Sequence, residues 1–249
     1  MKAIILVAGY ATRMGQLTKN RPKALLPLGG RPVLDYIIDQ LNTLPDVNEI
    51  IVVSNHKFYC YFEAWADVVE TAIPVTVLND GSTSESDRLG AIGDIHFAIN
   101  KSGISEDIVV IAGDNFMEYP LLEQYQFFKE KQSDTVCAQK LTNRDTLKQF
   151  AVAELDENNK VISLEEKPQN PKSDVAIFAT YFYGQDTLPL FSKYIEAGEN
   201  KDAPGYFVQW LYKQKDVYAY IMNGECHDLG TVEAYEAMQT RLELESKRG

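Results

Sequence analysis

The sequence predicts an α/β fold around a parallel sheet, on two observations. Apolar, β-branched runs alternate with helix-like patterns through the first half of the chain, and those runs are apolar on consecutive residues rather than on alternate ones. Residues 3–7, 49–54, 75–78 and 107–112 read as strands, while residues 33–44, 58–71 and 89–100 carry helical spacing. A run such as Ile108-Val109-Val110-Ile111-Ala112 suits a strand covered on both faces, and the alternation implies βαβ units. The second half changes character. Residues 150–155 and 160–164 flank Asp156-Glu157-Asn158-Asn159, a polar turn that predicts a hairpin. A strand over 175–183, helices over 187–196 and 206–213, a strand over 217–222 and a last helix over 232–246 follow. With no internal repeat and no linker rich in Pro, Gly or Ser, the expected organisation is one domain over 1–249. The change of character divides it into a first half of about residues 1–115 and a second half of about 116–249.

Composition narrows the function classes. With 45% hydrophobic and 24% charged residues the 249-residue chain has globular proportions. No apolar run approaches the length of a membrane span, and the first strand is interrupted by Gly9 too soon for a secretory signal, so a cytoplasmic protein with no membrane partner is expected. Lys and Arg number 24 against 36 Asp and Glu, a net charge of −12, and no basic stripe is present, which argues against nucleic acid. The same acidity would repel a phosphorylated substrate, so local cations or a divalent metal must compensate. Cys60, Cys137 and Cys226 are isolated, and His56, His96 and His227 share no metal-ligand spacing. Oligomeric state is not readable, and a homo-oligomer is compatible with the pattern.

In open α/β sheets ligands lie beyond the carboxyl ends of strands, so the residues after each strand carry the functional information. The first strand delivers Leu6-Val7-Ala8-Gly9-Tyr10-Ala11-Thr12-Arg13, followed by Pro22-Lys23-Ala24-Leu25-Leu26-Pro27. Small residues let backbone N–H groups approach phosphate oxygens, and Arg13 and Lys23 can offset charge developing in phosphoryl chemistry. An exposed loop with surface cations is the competing reading of either fragment alone. Asp114, in Gly113-Asp114-Asn115, ends an apolar strand and is placed to hold Mg²⁺ against phosphate oxygens; a turn aspartate is the alternative. Asp228, in His227-Asp228-Leu229-Gly230-Thr231, is either a second metal ligand or the cap of the last helix. Glu165-Glu166-Lys167-Pro168 offers a carboxylate for hydroxyl groups and an ammonium for a phosphate monoester. Absence of GxSxG, P-loop and GxGxxG patterns removes serine hydrolases, P-loop NTPases and simple dinucleotide binders.

Together these segments, with Pro171-Lys172-Ser173 and Ala179-Thr180-Tyr181-Phe182-Tyr183, resemble the sugar-phosphate nucleotidylyltransferases, most closely the glucose-1-phosphate thymidylyltransferase and uridylyltransferase group. The resemblance extends over nearly the whole chain. It implies a Rossmann-like three-layer sandwich with a mixed, mostly parallel central sheet, the nucleotide-diphospho-sugar transferase type. It further implies an Mg²⁺-dependent nucleotidyltransferase that condenses a nucleoside triphosphate, dTTP or UTP, with a sugar-1-phosphate, glucose-1-phosphate first, releasing pyrophosphate. Leu6, Ala8, Gly9, Tyr10, Ala11, Thr12 and Arg13 would then cradle the nucleotide, and Asn79 or Gly90 would read its base. Arg13, Lys23 and Asp114 would be catalytic, Asp114 and Asp228 would hold the metal, and Glu166, Lys167 and Tyr181 would take the sugar phosphate.

Three features depart from that group. Tyr10 and Ala11 stand where it carries glycines; Tyr10 must therefore point away or pack on the ligand. The stretch from Asn79 to Gly90 differs from the usual base-reading segment, and no arginine accompanies Val208-Gln209-Trp210, leaving Lys213 or Lys167 for the sugar phosphate. Longer relatives append a left-handed β-helix, often an acyltransferase, where this sequence has a single helix, so a second activity is not expected. A cytidylyltransferase acting on another phosphorylated acceptor such as phosphocholine, and a non-catalytic nucleotide-sugar sensor, are the alternative readings.

Overall fold

The computed structural model describes residues 1–246. The first half of the chain contains β1 (Lys2–Leu6), a short β2–β3 hairpin (Pro27–Leu28 and Arg31–Pro32), α1 (Val33–Asn42), β4 (Glu49–Ser54), α2 (Tyr59–Ala66), β5 (Val75–Asn79), α3 (Ala91–Ser102), β6 (Ile108–Ala112) and β7 (Asn115–Met117). Two short 3-10 helices, Thr12–Thr18 and Lys23–Leu25, fill the span between β1 and β2. The second half adds α4 (Leu121–Lys131), β8 (Asp134–Lys140), α5 (Arg144–Leu147), β9 (Ala151–Leu155), β10 (Val161–Glu166), β11 (Val175–Tyr183), α6 (Leu188–Glu196), α7 (Pro204–Leu211), β12 (Val217–Ile221), β13 (Cys226–Asp228) and α8 (Val232–Ser246).

Nine strands form one sheet in the order β10-β9-β11-β6-β1-β4-β5, with β8 pairing β11 and β12 pairing β8. The strands β6, β1, β4 and β5 are mutually parallel, as the βαβ alternation requires. β11 runs antiparallel to β6, β8 and β9, and β10 runs antiparallel to β9. With β12 parallel to β8, seven of the nine strands point one way, and only β10 and β11 oppose them. The mixed, mostly parallel sheet is therefore as expected.

Consecutive residues of the central strands feed opposite faces. Ala3, Ile5, Ile50, Val52, Val109 and Ile111 join a core under α1, α2 and α4. Ile4, Ile51, Val53, Ile108 and Val110 join a second core under α3, α6 and α7. Two cores on one sheet make three layers, which is why residues 3–6, 50–53 and 108–112 of these strands are apolar on consecutive positions. A smaller cluster of Met14, Leu28, Val33, Phe116, Leu229 and Met238 seats α8 beside the loop after β1.

The sequence reading passed over residues 116–149, which hold α4, β8 and α5. β8 opens on Asp134 and Thr135, both fully buried, a polar start that reads as a loop. Asp134 is satisfied from afar: it accepts from the Gly184 N–H at 2.8 Å and the Thr187 hydroxyl at 2.6 Å, and Lys215 pairs with it at 3.2 Å. The predicted helix over 58–71 is shorter, ending at Ala66.

Candidate active site

Leu6 of β1 stands in register with Val53 of β4 and Ala112 of β6, so the chain leaves all three strands at one edge of the sheet. From that edge the loop after β1 is held by side chains behind it. The Asn55 amide donates to the Ala8 carbonyl at 2.9 Å while its Oδ1 accepts the Phe58 N–H at 3.0 Å. The Thr18 hydroxyl donates to the Ala11 carbonyl at 3.0 Å. Ala11 itself adopts φ 49 and ψ 40, a left-handed conformation that glycine accepts without a Cβ clash. A Cβ on Gly9 would meet nothing within 4 Å, so the loop presents open space there. Thr12 and Arg13 follow as exposed residues of the first 3-10 turn.

Tyr10 turns away, toward the loop after β5. Its hydroxyl is buried without a hydrogen bond of sound geometry, beside Ser82 and facing Asp87, Asp80 and Glu85. Burial leads that acidic surrounding in pushing the phenol above its ordinary pKa.

Four charged side chains converge at one end of the cleft. The Lys23 ammonium, on the second 3-10 turn, pairs with the Asp114 carboxylate. Gly9, Ala11, Lys23, Gly113 and Asp114 line a common pocket. Asp228 arrives through the antiparallel pair β7–β13, which sets it opposite Asn115, and the Leu229 N–H donates to the Asp114 carbonyl at 3.1 Å. A Cβ on Gly230 would lie 2.7 Å from Asp228 Oδ1 and 3.4 Å from Arg13 Nη2, so both groups converge on that glycine. Enclosure by the cleft walls and then the Asp114 charge raise the Asp228 pKa, against Lys23, the Gly230 N–H and Arg13. Two carboxylates that repel each other at an open cleft suit a divalent cation with hard oxygen ligands. The last helix is capped by Thr231, whose hydroxyl accepts the Ala234 N–H at 3.2 Å, so capping is not the task of Asp228.

Gly113 serves the fold. A Cβ there would stand 2.3 Å from Val7 Cγ1, so glycine allows β6 to close on β1, where its N–H donates to the Leu6 carbonyl at 2.9 Å. Gly90 likewise packs against the chain: its φ is +79 and a Cβ would lie 2.5 Å from the Lys201 carbonyl. Asn79 spends its side chain on the Gly81 N–H at 2.9 Å and on His56 at 3.1 Å.

At the end of β10, the Glu166 side chain is 5% exposed, and its Oε2 lies so near Gly205 at the start of α7 that a Cβ there would come within 1.8 Å. The Glu166 N–H donates to Gln209 at 2.8 Å. Burial pushes its carboxyl up to about 7, Asp202 adds to this and Lys167 opposes it. Lys167 is exposed at φ 49, with its ammonium 4.0 Å from Glu166. Tyr181 is a core residue, 3% exposed and stacked on Tyr183 at 5.8 Å; it touches the site only through the field of Glu166. A larger cleft runs from Arg13, Asp228 and Gly230 to Gln149, Phe150 and Phe178. Asn55, Gln149 and Phe150 were not singled out as site residues in the sequence, and Gln209 figured there only as a neighbour of a missing arginine. Asn55 alone carried a signal, its place directly after a strand.

The model of the nucleotidyl transferase family matches residues 2–245. The chain belongs to that family. It is 31% identical over 232 residues to the bifunctional protein GlmU of Methanocaldococcus jannaschii, covering 92% of this chain and 51% of the relative. It is 28% identical over 240 residues to a glucose-1-phosphate thymidylyltransferase of Streptomyces griseus, covering 93% and 63%. This nucleotidyl transferase chain thus spans between half and two thirds of the length of those relatives. A UTP-bound UGPase from Acinetobacter baumannii shares the fold, with a TM-score of 0.79 at 18% identity over 98% of this chain and 93% of that one. Among the described residues no helix is long and apolar enough to cross a membrane.

Proposed function

We propose that this chain is an Mg²⁺-dependent sugar-1-phosphate nucleotidyltransferase, using dTTP or UTP and glucose-1-phosphate in preference to other pairs. One observation carries the proposal: Arg13, Lys23, Asp114 and Asp228 converge at the carboxyl edge of the parallel strands, although they come from four separate segments. A sugar-phosphate oxygen, already ionised, attacks the α-phosphorus of the nucleotide; the new P–O bond forms as the bond to pyrophosphate breaks. No general base is needed, so positioning and charge stabilisation carry the rate.

Each group has a task that fits its place. Backbone N–H groups of the Ala8 to Thr12 loop cradle the triphosphate, and Arg13 offsets charge on the departing pyrophosphate. Lys23 bridges the two substrates' phosphates at the reacting centre. Asp114 and Asp228 hold Mg²⁺, which when bound neutralises phosphate charge as a Lewis acid. Glu166 accepts hydrogen bonds from sugar hydroxyls, while exposed Lys167 is free to meet the sugar phosphate. The open space at Gly9 and the stretch between Asn79 and Gly90 receive phosphates and base respectively. With both Asn79 polar ends engaged, base reading by this stretch falls to its backbone and neighbouring side chains.

The test is a pyrophosphate-release panel crossing dTTP, UTP, CTP, GTP and ATP with several sugar-1-phosphates and phosphocholine, with and without Mg²⁺. Turnover with dTTP or UTP and glucose-1-phosphate supports the reading, and CTP with phosphocholine redirects it to a cytidylyltransferase. Nucleotide-sugar binding without turnover in any pair identifies a sensor and rejects catalysis.

A further inference from the structure

The loop between β5 and α3, which under the proposed function meets the nucleobase, is fastened from below by an acid that the proposed chemistry does not use. Asp94 sits in the first turn of α3, its N–H donating to the Gly90 carbonyl at 2.8 Å. Its residue is 5% exposed, and its Oδ1 is buried without any N–H or O–H donor. The side chain nonetheless lies in hydrogen-bonding contact with the Asp80 carboxyl. Asp80 in turn orders the loop: its Oδ1 accepts the Ser82 N–H at 2.7 Å and the Ser82 hydroxyl at 2.8 Å.

Two ionised carboxylates in contact away from water are strongly repulsive, and a single shared proton converts the repulsion into an O–H···O bond. That proton supplies the missing donor at the contact. Burial drives the Asp94 carboxyl up to about 8, and the Asp80 charge drives it in the same direction. The Arg88 charge opposes the shift, while its guanidinium is engaged by Glu85 at 3.0 Å and by Asp202 at 2.6 Å. Around the loop also stand Tyr10 from the phosphate loop, Asp87, which fastens the Thr83 and Ser84 N–H groups, Glu85, and His56, whose backbone N–H donates to the Ser82 carbonyl at 2.9 Å and whose ring meets Asn79 at 3.1 Å. Lys201 faces Gly90 through its carbonyl rather than its ammonium.

We propose that Asp94 is a positioning residue for nucleotide binding: through a proton shared with Asp80 it locks the 80–88 loop against Tyr10 and the phosphate loop, and loss of that proton frees the loop. The inference rests on the proposed function only in assigning the loop to the nucleotide. The sign is fixed by the chemistry. Below the transition the pair carries one charge and the loop is held; above it two charges face each other and push Asp80, with Ser82, away from α3.

The experiment compares the full chain with Asp94→Asn, which keeps a donor of the same shape and cannot ionise. Asp80→Asn approaches the pair from the other side and guards against a fold defect in the first variant. Hydrogen exchange of amides 80–88, taken as the wild-type to variant ratio at each pH so that intrinsic exchange cancels, is followed from pH 6.5 to 9.5. Wild-type protection is expected to fall about tenfold relative to both variants across the transition. The nucleotide KM of the wild type should rise through the same range at near-constant kcat, and Asp94→Asn should flatten that rise. Equal exchange in wild type and variants at every pH overturns the shared proton. An exchange difference with pH-independent KM ratios overturns the positioning role. An exchange difference in a protein that turns over no nucleotide supports the shared proton and rejects the proposed function instead.

Discussion

Replacing Glu166 by glutamine should uncouple stability from pH in a window that the structure defines. The wild-type carboxyl titrates near 7 because it is enclosed between β10 and the start of α7, against an ordinary value of 4.5. The folded state therefore holds a proton between about pH 4.5 and 7 that the unfolded chain has lost, so stability is greatest below this window and declines as pH rises through it. Two and a half units at about 1.4 kcal/mol each set a ceiling of about 3.4 kcal/mol. Acids remote from Glu166, Asp94 among them, contribute alike in both proteins and cancel in the difference. Urea unfolding of wild type and Glu166→Gln from pH 4 to 8.5 should show the variant gaining about 2–3 kcal/mol on the wild type across the range. A difference that stays constant within about 0.5 kcal/mol would refute the reasoning, because the carboxyl would then be solvated in the fold. The same argument reaches function: sugar hydroxyls favour the ionised carboxylate, so sugar-1-phosphate binding near pH 7 should release a proton. Calorimetry in buffers of different ionisation enthalpy measures it, and Glu166→Gln should abolish that release.

Asp114→Asn should lower metal-dependent turnover by about 10²- to 10³-fold while leaving thermal unfolding unchanged; full activity would reject the ligand assignment. Lys215→Met strands the fully buried Asp134 carboxyl with only two neutral donors and should cost about 3–5 kcal/mol in chemical denaturation. Ala11→Gly relieves a left-handed Cβ worth about 1–2 kcal/mol and adds about 0.5–1 kcal/mol of unfolded-chain entropy. A melting temperature unchanged or raised by a few degrees is expected, and a fall would show that the loop does not need glycine-like freedom. Gly113→Ala should destabilise by about 1–3 kcal/mol, since its Cβ would meet Val7 Cγ1 at 2.3 Å; a neutral outcome would mean that β1 and β6 can separate freely.

The strands β1, β4 and β6 were legible because both faces of each are buried, so their central residues are apolar in unbroken runs and no alternation has to be decoded. β8 was not, since Asp134 looks like a loop residue until Lys215, Thr187 and the Gly184 N–H are brought to it. β13 was partly hidden for a related reason: three residues ending His227-Asp228 become a strand only by pairing with β7. Among the site residues, Arg13, Lys23 and Asp114 followed strand ends and could be read as a set. Tyr181 shows the opposite case, a residue singled out within a motif and found stacked in the core.

By itself the sequence determined the chemical inventory: a small-residue loop with two cations, an aspartate behind an apolar strand, and a parallel sheet whose carboxyl edge would gather them. Only tertiary structure decided which acids act together. Sheet register joins Asp228 to Asp114 across more than a hundred residues, and the helix start at Gly205 encloses Glu166. Tyr10 is the sharpest instance, a departure visible in the chain whose direction, toward Ser82 and the acidic loop, depends on contacts between two strand ends. Pattern in a chain reports burial and local geometry, whereas Coulomb interaction and desolvation depend on through-space distance, which exists only after folding.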